Sequence, residues 1–66
     1  MPVNRDAIQT FLTIETAYKE FFLSQLAILS KIPSTLEIEH KWNVLTYGVE
    51  LQNMKIEVLQ RLLHQV

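Results

Sequence analysis

The residue types that this sequence lacks restrict its structure most. Among its 66 residues it has no cysteine, one glycine and two prolines. The lack of cysteine excludes disulfide bonds and thiolate metal sites. The scarcity of glycine and proline leaves few places for tight turns, and no segment alternates apolar and polar residues as a half-buried strand does. The sequence therefore predicts an all-α protein.

Charge is sparse as well. Charged residues are 20% of the chain, with seven acidic and six basic side chains and a net charge of -1, whereas hydrophobic residues are 48%. Such a balance does not attract polyanions. The most apolar stretch, "FFLSQLAILSKI" at 21–32, is interrupted by polar residues and is shorter than the about 20 residues that a membrane span needs. No basic start precedes an apolar run, so we expect a cytoplasmic protein without a membrane partner.

Pro33 divides the chain into two predicted helices, at about 5–31 and about 35–64. Asn4 is a good N-cap for the first helix. The residue before a proline avoids helical backbone angles, so the first helix should end near Lys31. A link of two or three residues between helices this long favours an antiparallel hairpin, which would form one domain over 1–66. One continuous bent helix is the alternative.

Local signals support both helix starts. Val3 and Ile8 have the spacing of a hydrophobic staple around the first N-cap. Ser34 followed three residues later by Glu37 predicts a capping box at the start of the second helix.

Each predicted helix has two apolar stripes at spacings of three and four residues. We expect one stripe of each helix to form the seam of the hairpin. These seam residues are Ala7, Phe11, Ile14, Tyr18, Phe21, Gln25, Ile28 and Ile32, and Ile38, Trp42, Leu45, Val49, Gln52, Ile56, Leu59, Leu63 and Val66. The second stripes consist of Ile8, Leu12, Phe22, Leu26 and Leu29, and of Val44, Tyr47, Leu51, Met54, Val58 and Leu62.

A two-helix hairpin can bury one stripe per helix, so the second stripes predict association. A compact chain of this size buries only about 60% of its unfolded surface, which favours association further. We therefore predict that two hairpins dimerise into a four-helix bundle. The predicted dimer interface contains Tyr47, Gly48, Leu51, Met54, Val58, Leu62, Phe22 and Leu26.

Three residues of the predicted seams and flanks need a separate explanation. Gly48 costs a helix interior about 1 kcal/mol relative to alanine. We expect it to make room for Tyr18 or Phe22, or to allow close approach of a second copy; a tolerated glycine on a helix flank is the alternative. Gln25 and Gln52 interrupt apolar seams. In a dimer of oppositely pointing hairpins they would come within about one helical turn of each other, although seam glutamines more often extend to water.

No constellation of residues predicts catalysis. His40 and His64 are too far apart on one helix to share a metal, and the single Glu37–His40 pair is a weak ligand set. We expect Glu15 to pair with Lys19 on a polar helix surface, and Glu57 to pair with Arg61. No glycine-rich loop is present to bind phosphate. We predict a protein that is not an enzyme and has no cofactor and no metal.

What remains is a protein-interaction module: an adaptor, small chaperone or regulator that acts as a homodimer on a larger protein. Leu23 falls outside both stripes and is the candidate partner-docking residue. The first alternative is a subunit of a hetero-oligomer whose second stripe packs on a different chain. A nucleic-acid-binding helical dimer is a further alternative, although the six basic residues do not form one stripe.

Overall fold

The chain forms a hairpin of two long helices in a computed structural model that describes residues 4–66. Helix α1 spans Arg5–Leu29 and helix α2 spans Leu36–Gln65. The two helices pack against each other, and Arg5 Nη1 donates a hydrogen bond of 3.2 Å to the carbonyl oxygen of Val66, so they are antiparallel. The described chain is a rod of 49 × 16 × 14 Å. The prediction of an all-helical hairpin is confirmed, and the continuous bent helix is wrong.

The start of α1 follows its sequence signal. The side chain of Asn4 accepts a hydrogen bond of 2.7 Å from the backbone N–H of Asp6, which confirms the predicted N-cap. Asp6 lies in the first turn, where its negative charge suits the positive end of the helix dipole. The predicted staple between Val3 and Ile8 includes a residue outside the described part of the chain.

The connection is longer than predicted. Helix α1 ends at Leu29, and the backbone N–H groups of Lys31 and Ile32 turn back to the carbonyls of Ile28 and Leu29 at 3.1 Å each. These bonds tighten the last turn and satisfy carbonyls that would otherwise lack partners. The connection therefore covers residues 30–35 rather than two or three residues.

Thr35, rather than Ser34, is the N-cap of α2. The Thr35 backbone is extended, and its Oγ1 accepts a hydrogen bond of 3.2 Å from the N–H of Ile38. Ser34 instead donates to Oε1 of Glu39 at 3.2 Å. The predicted capping box of Ser34 and Glu37 is therefore wrong by one position, because two neighbouring hydroxyl residues can both cap and only Thr35 accepts from the helix N–H.

The seam between the helices uses the predicted stripe of α2. Its members are buried or half-buried, except that Trp42 and Val66 are exposed. On α1 the prediction is wrong, because the helix packs with its second stripe. The side chains that face inward recur at spacings of three and four residues and are Ile8, Leu12, Glu15, Lys19, Phe22, Leu26 and Leu29.

The interior of the hairpin is thin. Within residues 4–66, Ile8 is the one buried hydrophobic residue, at 2% exposure, and Gln52 is buried at 5%. Most other seam residues are only half-buried, and Trp42 and Val66 are exposed. Folding of a single chain therefore removes only a small part of the apolar area of this hairpin from water.

Candidate interaction surface

One side of the hairpin is a continuous apolar surface, which we call the outer apolar face. Phe11 of α1 lines a shallow recess together with Leu51, Met54 and Val58 of α2, so both helices contribute to the same side. The other members follow from these by helical spacing. All of them are exposed: Phe11, Ile14, Tyr18, Phe21 and Ile28 on α1, and Val44, Tyr47, Leu51, Met54 and Val58 on α2.

The composition of this face differs from that of the opposite side. The recess beside Phe11 is lined by apolar side chains apart from Glu15 and Lys55. On the opposite side, a recess between the helices is lined by four polar residues and two apolar ones: Thr13, Thr16, Glu20 and Gln60, with Leu12 and Ala17. The hairpin as a whole is therefore amphipathic, with one apolar side and one polar side.

A polar cluster lies in the seam at the edge of the outer apolar face. The Nε2 group of Gln52 donates to the backbone oxygen of Glu15 at 3.2 Å and to its Oε2 atom at 2.5 Å. Lys55 Nζ lies 3.9 Å from the same Oε2 atom. The Glu15 side chain is 20% exposed. The buried amide therefore satisfies its N–H groups within the chain, as a buried polar group must.

This cluster corrects two expectations. Glu15 pairs with Gln52 and Lys55 across the hairpin rather than with Lys19 on a polar surface. Gln52 does not extend to water, because it is buried and bonded to Glu15. The predicted pair of Glu57 and Arg61 is confirmed as an exposed ion pair.

Gly48 lies against an aromatic ring. A Cβ atom added at this position would lie 3.3 Å from both Cδ2 and Cε2 of Phe22. Few real Cβ atoms have neighbours that close, so the ring occupies the space that a side chain would need. The prediction that Gly48 makes room for Tyr18 or Phe22 is confirmed for Phe22.

The eight residues predicted to form the dimer interface divide into two groups. Four are exposed on the outer apolar face: Tyr47, Leu51, Met54 and Val58. The other four are half-buried: Gly48, Leu62, Phe22 and Leu26. Phe22 and Gly48 contact each other within one hairpin. The assignment of these residues to a dimer interface stays a prediction.

Leu23 is exposed at 44%. It follows Thr16 by seven residues and Glu20 by three, so it lies on their side of α1, away from Tyr18. Its exposure is not exceptional, since Phe21 and Met54 are more exposed. Its position on the polar side is what separates it from the outer apolar face.

Sequence reasoning missed the exposure of Phe11, Ile14 and Phe21. These residues were expected inside the hairpin because their stripe is the longer one. One signal could have located them: the competing stripe of α1 contains Phe22, and Phe22 was already a candidate to fill the space at Gly48. Placing Phe22 at Gly48 turns Phe21 and its stripe outward.

The remaining chemical groups form no recognisable site. Across residues 4–66, no group of three or more His, Asp or Glu side chains could hold a metal ion. In the same part of the chain, no helix combines the length and the apolar character that crossing a bilayer requires. His40 borders a recess with Lys41 and Val44, and His64 lies in the last turn of α2.

The chain was also compared with known proteins. No protein-family model, curated protein or solved structure matches it. Its candidate role therefore has to be argued from the outer apolar face itself.

Proposed function

We propose that this hairpin is a protein-interaction module that works as a homodimer, in which two outer apolar faces pack together as a four-helix bundle. The observation that carries the proposal is the continuous exposure of aromatic and aliphatic side chains along both helices. Monomeric soluble proteins rarely expose apolar patches beyond a few hundred Å2. A second copy with the same face would cover them.

The surface area of the chain supports association. Its solvent-accessible surface is 5245 Å2. The scaling of surface with mass gives about 4300 Å2 for a folded monomer of this size. The excess of about 900 Å2 is close to the about 800 Å2 that each partner buries in a standard interface. One hairpin therefore exposes more surface than a compact monomer of its mass, by an amount similar to one side of a standard interface.

The charge of the outer apolar face favours a second copy over a charged partner. Glu15 and Lys55 neutralise each other, and Lys41 pairs with Glu37 at 3.3 Å. A face without net charge offers nothing to steer an acidic or basic partner. A second copy with the same face could pack on it without a mismatch of net charge, as a two-fold dimer requires.

The polar side is where the dimer would meet a larger protein. Packing of two outer apolar faces leaves Leu23 accessible, because it lies on the side of Thr16 and Glu20. Interface hot spots are apolar or aromatic anchors that lose water on binding. We propose that the dimer acts as an adaptor, small chaperone or regulator, and that Leu23 contributes to capture of its partner.

Sedimentation equilibrium at micromolar concentration tests the dimer. We expect the wild-type protein to have twice the mass of the 7.7 kDa chain. Leu51→Glu should raise the dissociation constant of the dimer at least about tenfold, because a carboxylate would enter the apolar interface, where only Lys55, already beside Glu15, could partly compensate it. Leu23→Glu is the matched control: both leucines are exposed, at 37% and 44%, but only Leu51 lies on the outer apolar face.

Three outcomes distinguish the alternatives. A folded 7.7 kDa wild-type monomer would refute the dimer. Aggregation that only a second, different chain relieves would favour a subunit of a hetero-oligomer. Binding of an RNA or DNA probe at low salt by the intact dimer would favour the nucleic-acid alternative.

A further inference from the structure

We infer that the two hairpins of the dimer point in opposite directions, and that Gln25 of each copy donates a hydrogen bond to Glu15 of the other. This inference rests on the proposed function, because it assumes that a second copy covers the outer apolar face. The α1 stripe that faces outward, which we call the outer stripe, consists of Phe11, Ile14, Tyr18, Phe21, Gln25 and Ile28. The inference gives Gln25, the one amide of this stripe, a partner, and it identifies the contact that sets the orientation of the two copies.

The register of the hairpin gives the height of each residue above the connection. Phe22 lies beside Gly48, and Glu15 lies beside Gln52. With a rise of 1.5 Å per residue, Gln25 lies about 15 Å from the connecting end of the rod and Glu15 lies about 30 Å from it. The rod is 49 Å long. If two rods overlap fully in opposite directions, Gln25 of one copy therefore lies within about one turn of Glu15 of the other.

The two groups are on the same side of the hairpin. Glu15 and Lys55 border the recess beside Phe11, and Gln25 borders a recess with Val44, a member of the outer apolar face. Gln25 is half-buried at the edge of that face. A second copy that covers the face would therefore cover both groups at once.

Packing of a second copy on the outer apolar face would change which hydrogen-bond donors the Glu15 carboxylate requires. Its Oε2 atom receives Gln52 and Lys55 within the chain, while the 20% of the side chain that is exposed remains in water. Covering the face would remove that water, and a carboxylate that loses water without a new donor is destabilised. Gln25 brings an amide N–H2 group, so in the antiparallel arrangement each copy supplies the donor that the other requires.

The parallel arrangement lacks this complementarity. Side-by-side hairpins with both connections at one end would place equivalent residues at equal heights. In a two-fold dimer of this kind, α1 of each copy packs on α2 of the other, so Glu15 would lie at the level of Lys55 and Gln25 at the level of Val44 of the second copy. The charges would be met in this arrangement too, but the Gln25 amide would face an apolar side chain and no carboxylate. The acceptor that Gln25 requires therefore favours opposite directions.

Distance measurements between spin labels test the orientation. The chain has no cysteine, so Ser34→Cys, in the connection just before α2, and His64→Cys, in the last turn of α2, each provide one label. In the antiparallel dimer, two labels at 34 or two labels at 64 should be about 40 Å apart, given the helix rise. An equimolar mixture of the two labelled proteins should add a distance below about 25 Å, because labels 34 and 64 would then lie on adjacent helices.

A substitution tests the contact itself. Gln25→Leu adds apolar area to the face, so it should tighten the dimer if Gln25 has no partner. If Gln25 donates to Glu15, the dissociation constant should instead rise at least about tenfold, the usual effect of losing a hydrogen bond to a charged group. Gln60→Leu is the matched control, since Gln60 borders the recess on the polar side and should change little. Circular dichroism would verify that every variant keeps its helical content.

The outcomes separate this inference from the proposed function. A wild-type monomer in sedimentation would refute both. A wild-type dimer with short distances between labels at 34 would refute the antiparallel orientation and leave the dimer standing. Long distances together with a tighter Gln25→Leu dimer would refute the hydrogen bond. Long distances with a weaker Gln25→Leu dimer and an unchanged Gln60→Leu dimer would support the full inference.

Discussion

The two apolar stripes of α1 differ in a way that a lone hairpin does not explain. The inner stripe, which is the inward-facing set from Ile8 to Leu29, packs on α2 although it contains two charged residues, Glu15 and Lys19. The outer stripe has no charged residue and presents three aromatic rings to water, those of Phe11, Tyr18 and Phe21. If the single chain were the final state, the more apolar stripe would be expected inside.

In the proposed dimer, the inner stripe would serve specificity and the outer stripe would serve association. The inner stripe contacts two features that only one rotation of α1 can satisfy: the space at Gly48 and the buried amide of Gln52. Buried polar groups and shape matches of this kind fix a register at some cost in stability. In a four-helix bundle each helix buries a face wider than one stripe, so both stripes of α1 would reach the core of the proposed dimer.

Truncating one isoleucine from each stripe of α1 gives the largest expected effect on the free energy of unfolding. Ile8→Ala should lower the free energy of unfolding by about 2–4 kcal/mol, because Ile8 is buried and its loss leaves a cavity. Ile14→Ala removes a side chain that is exposed in one hairpin, so its cost should come through the dimer and grow with protein concentration. Urea unfolding at a series of protein concentrations measures both. A larger cost for Ile14→Ala than for Ile8→Ala at every concentration would reverse the assignment of the stripes.

The polar contact of the inner stripe provides the next largest effect. Gln52→Leu should lower the free energy of unfolding by about 1–3 kcal/mol, because it leaves the half-buried Glu15 carboxylate without its main donor. The double substitution Gln52→Leu with Glu15→Leu removes both polar partners and should recover most of that loss. Equal losses in the single and double variants, measured by urea unfolding, would show that the pair does not interact in solution.

The sequence predicts the helices of this fold better than it predicts their rotation. Local patterns of apolar spacing and capping predict the two helices, the Asn4 cap and the antiparallel hairpin. These patterns can be identified without knowledge of which side of each helix faces the other. The choice between the two stripes of α1 depends on contacts between residues more than twenty-five positions apart, such as Phe22 with Gly48. Periodicity finds both stripes and favours the longer one, which is the wrong choice for this helix.

The candidate interaction surface was predicted in part for the same reason. The stripe of α2 that faces outward was identified, including Tyr47 and Met54, because its alternative stripe is longer and more regular. The outward residues of α1 were missed with the rotation of that helix. Glu15 was missed as a half-buried partner of Gln52 because a carboxylate four residues before a lysine also fits an ordinary surface pair.

The smallest expected effect comes from Gly48, and it reports directly on which stripe faces α2. Gly48→Ala gains about 1 kcal/mol of helix propensity. It also places a Cβ atom 3.3 Å from the Phe22 ring, which must shift by a few tenths of an ångström. The two effects should nearly cancel, so we expect a net change below about 0.5 kcal/mol in the free energy of unfolding. In a Phe22→Leu background the crowding is relieved, and the same substitution should stabilise the protein by about 1 kcal/mol. Urea unfolding of the wild type, the two single variants and the double variant measures the coupling between the two positions. An equal gain in stability from Gly48→Ala in both backgrounds would mean that Phe22 does not pack on Gly48 and that α1 is rotated differently in solution.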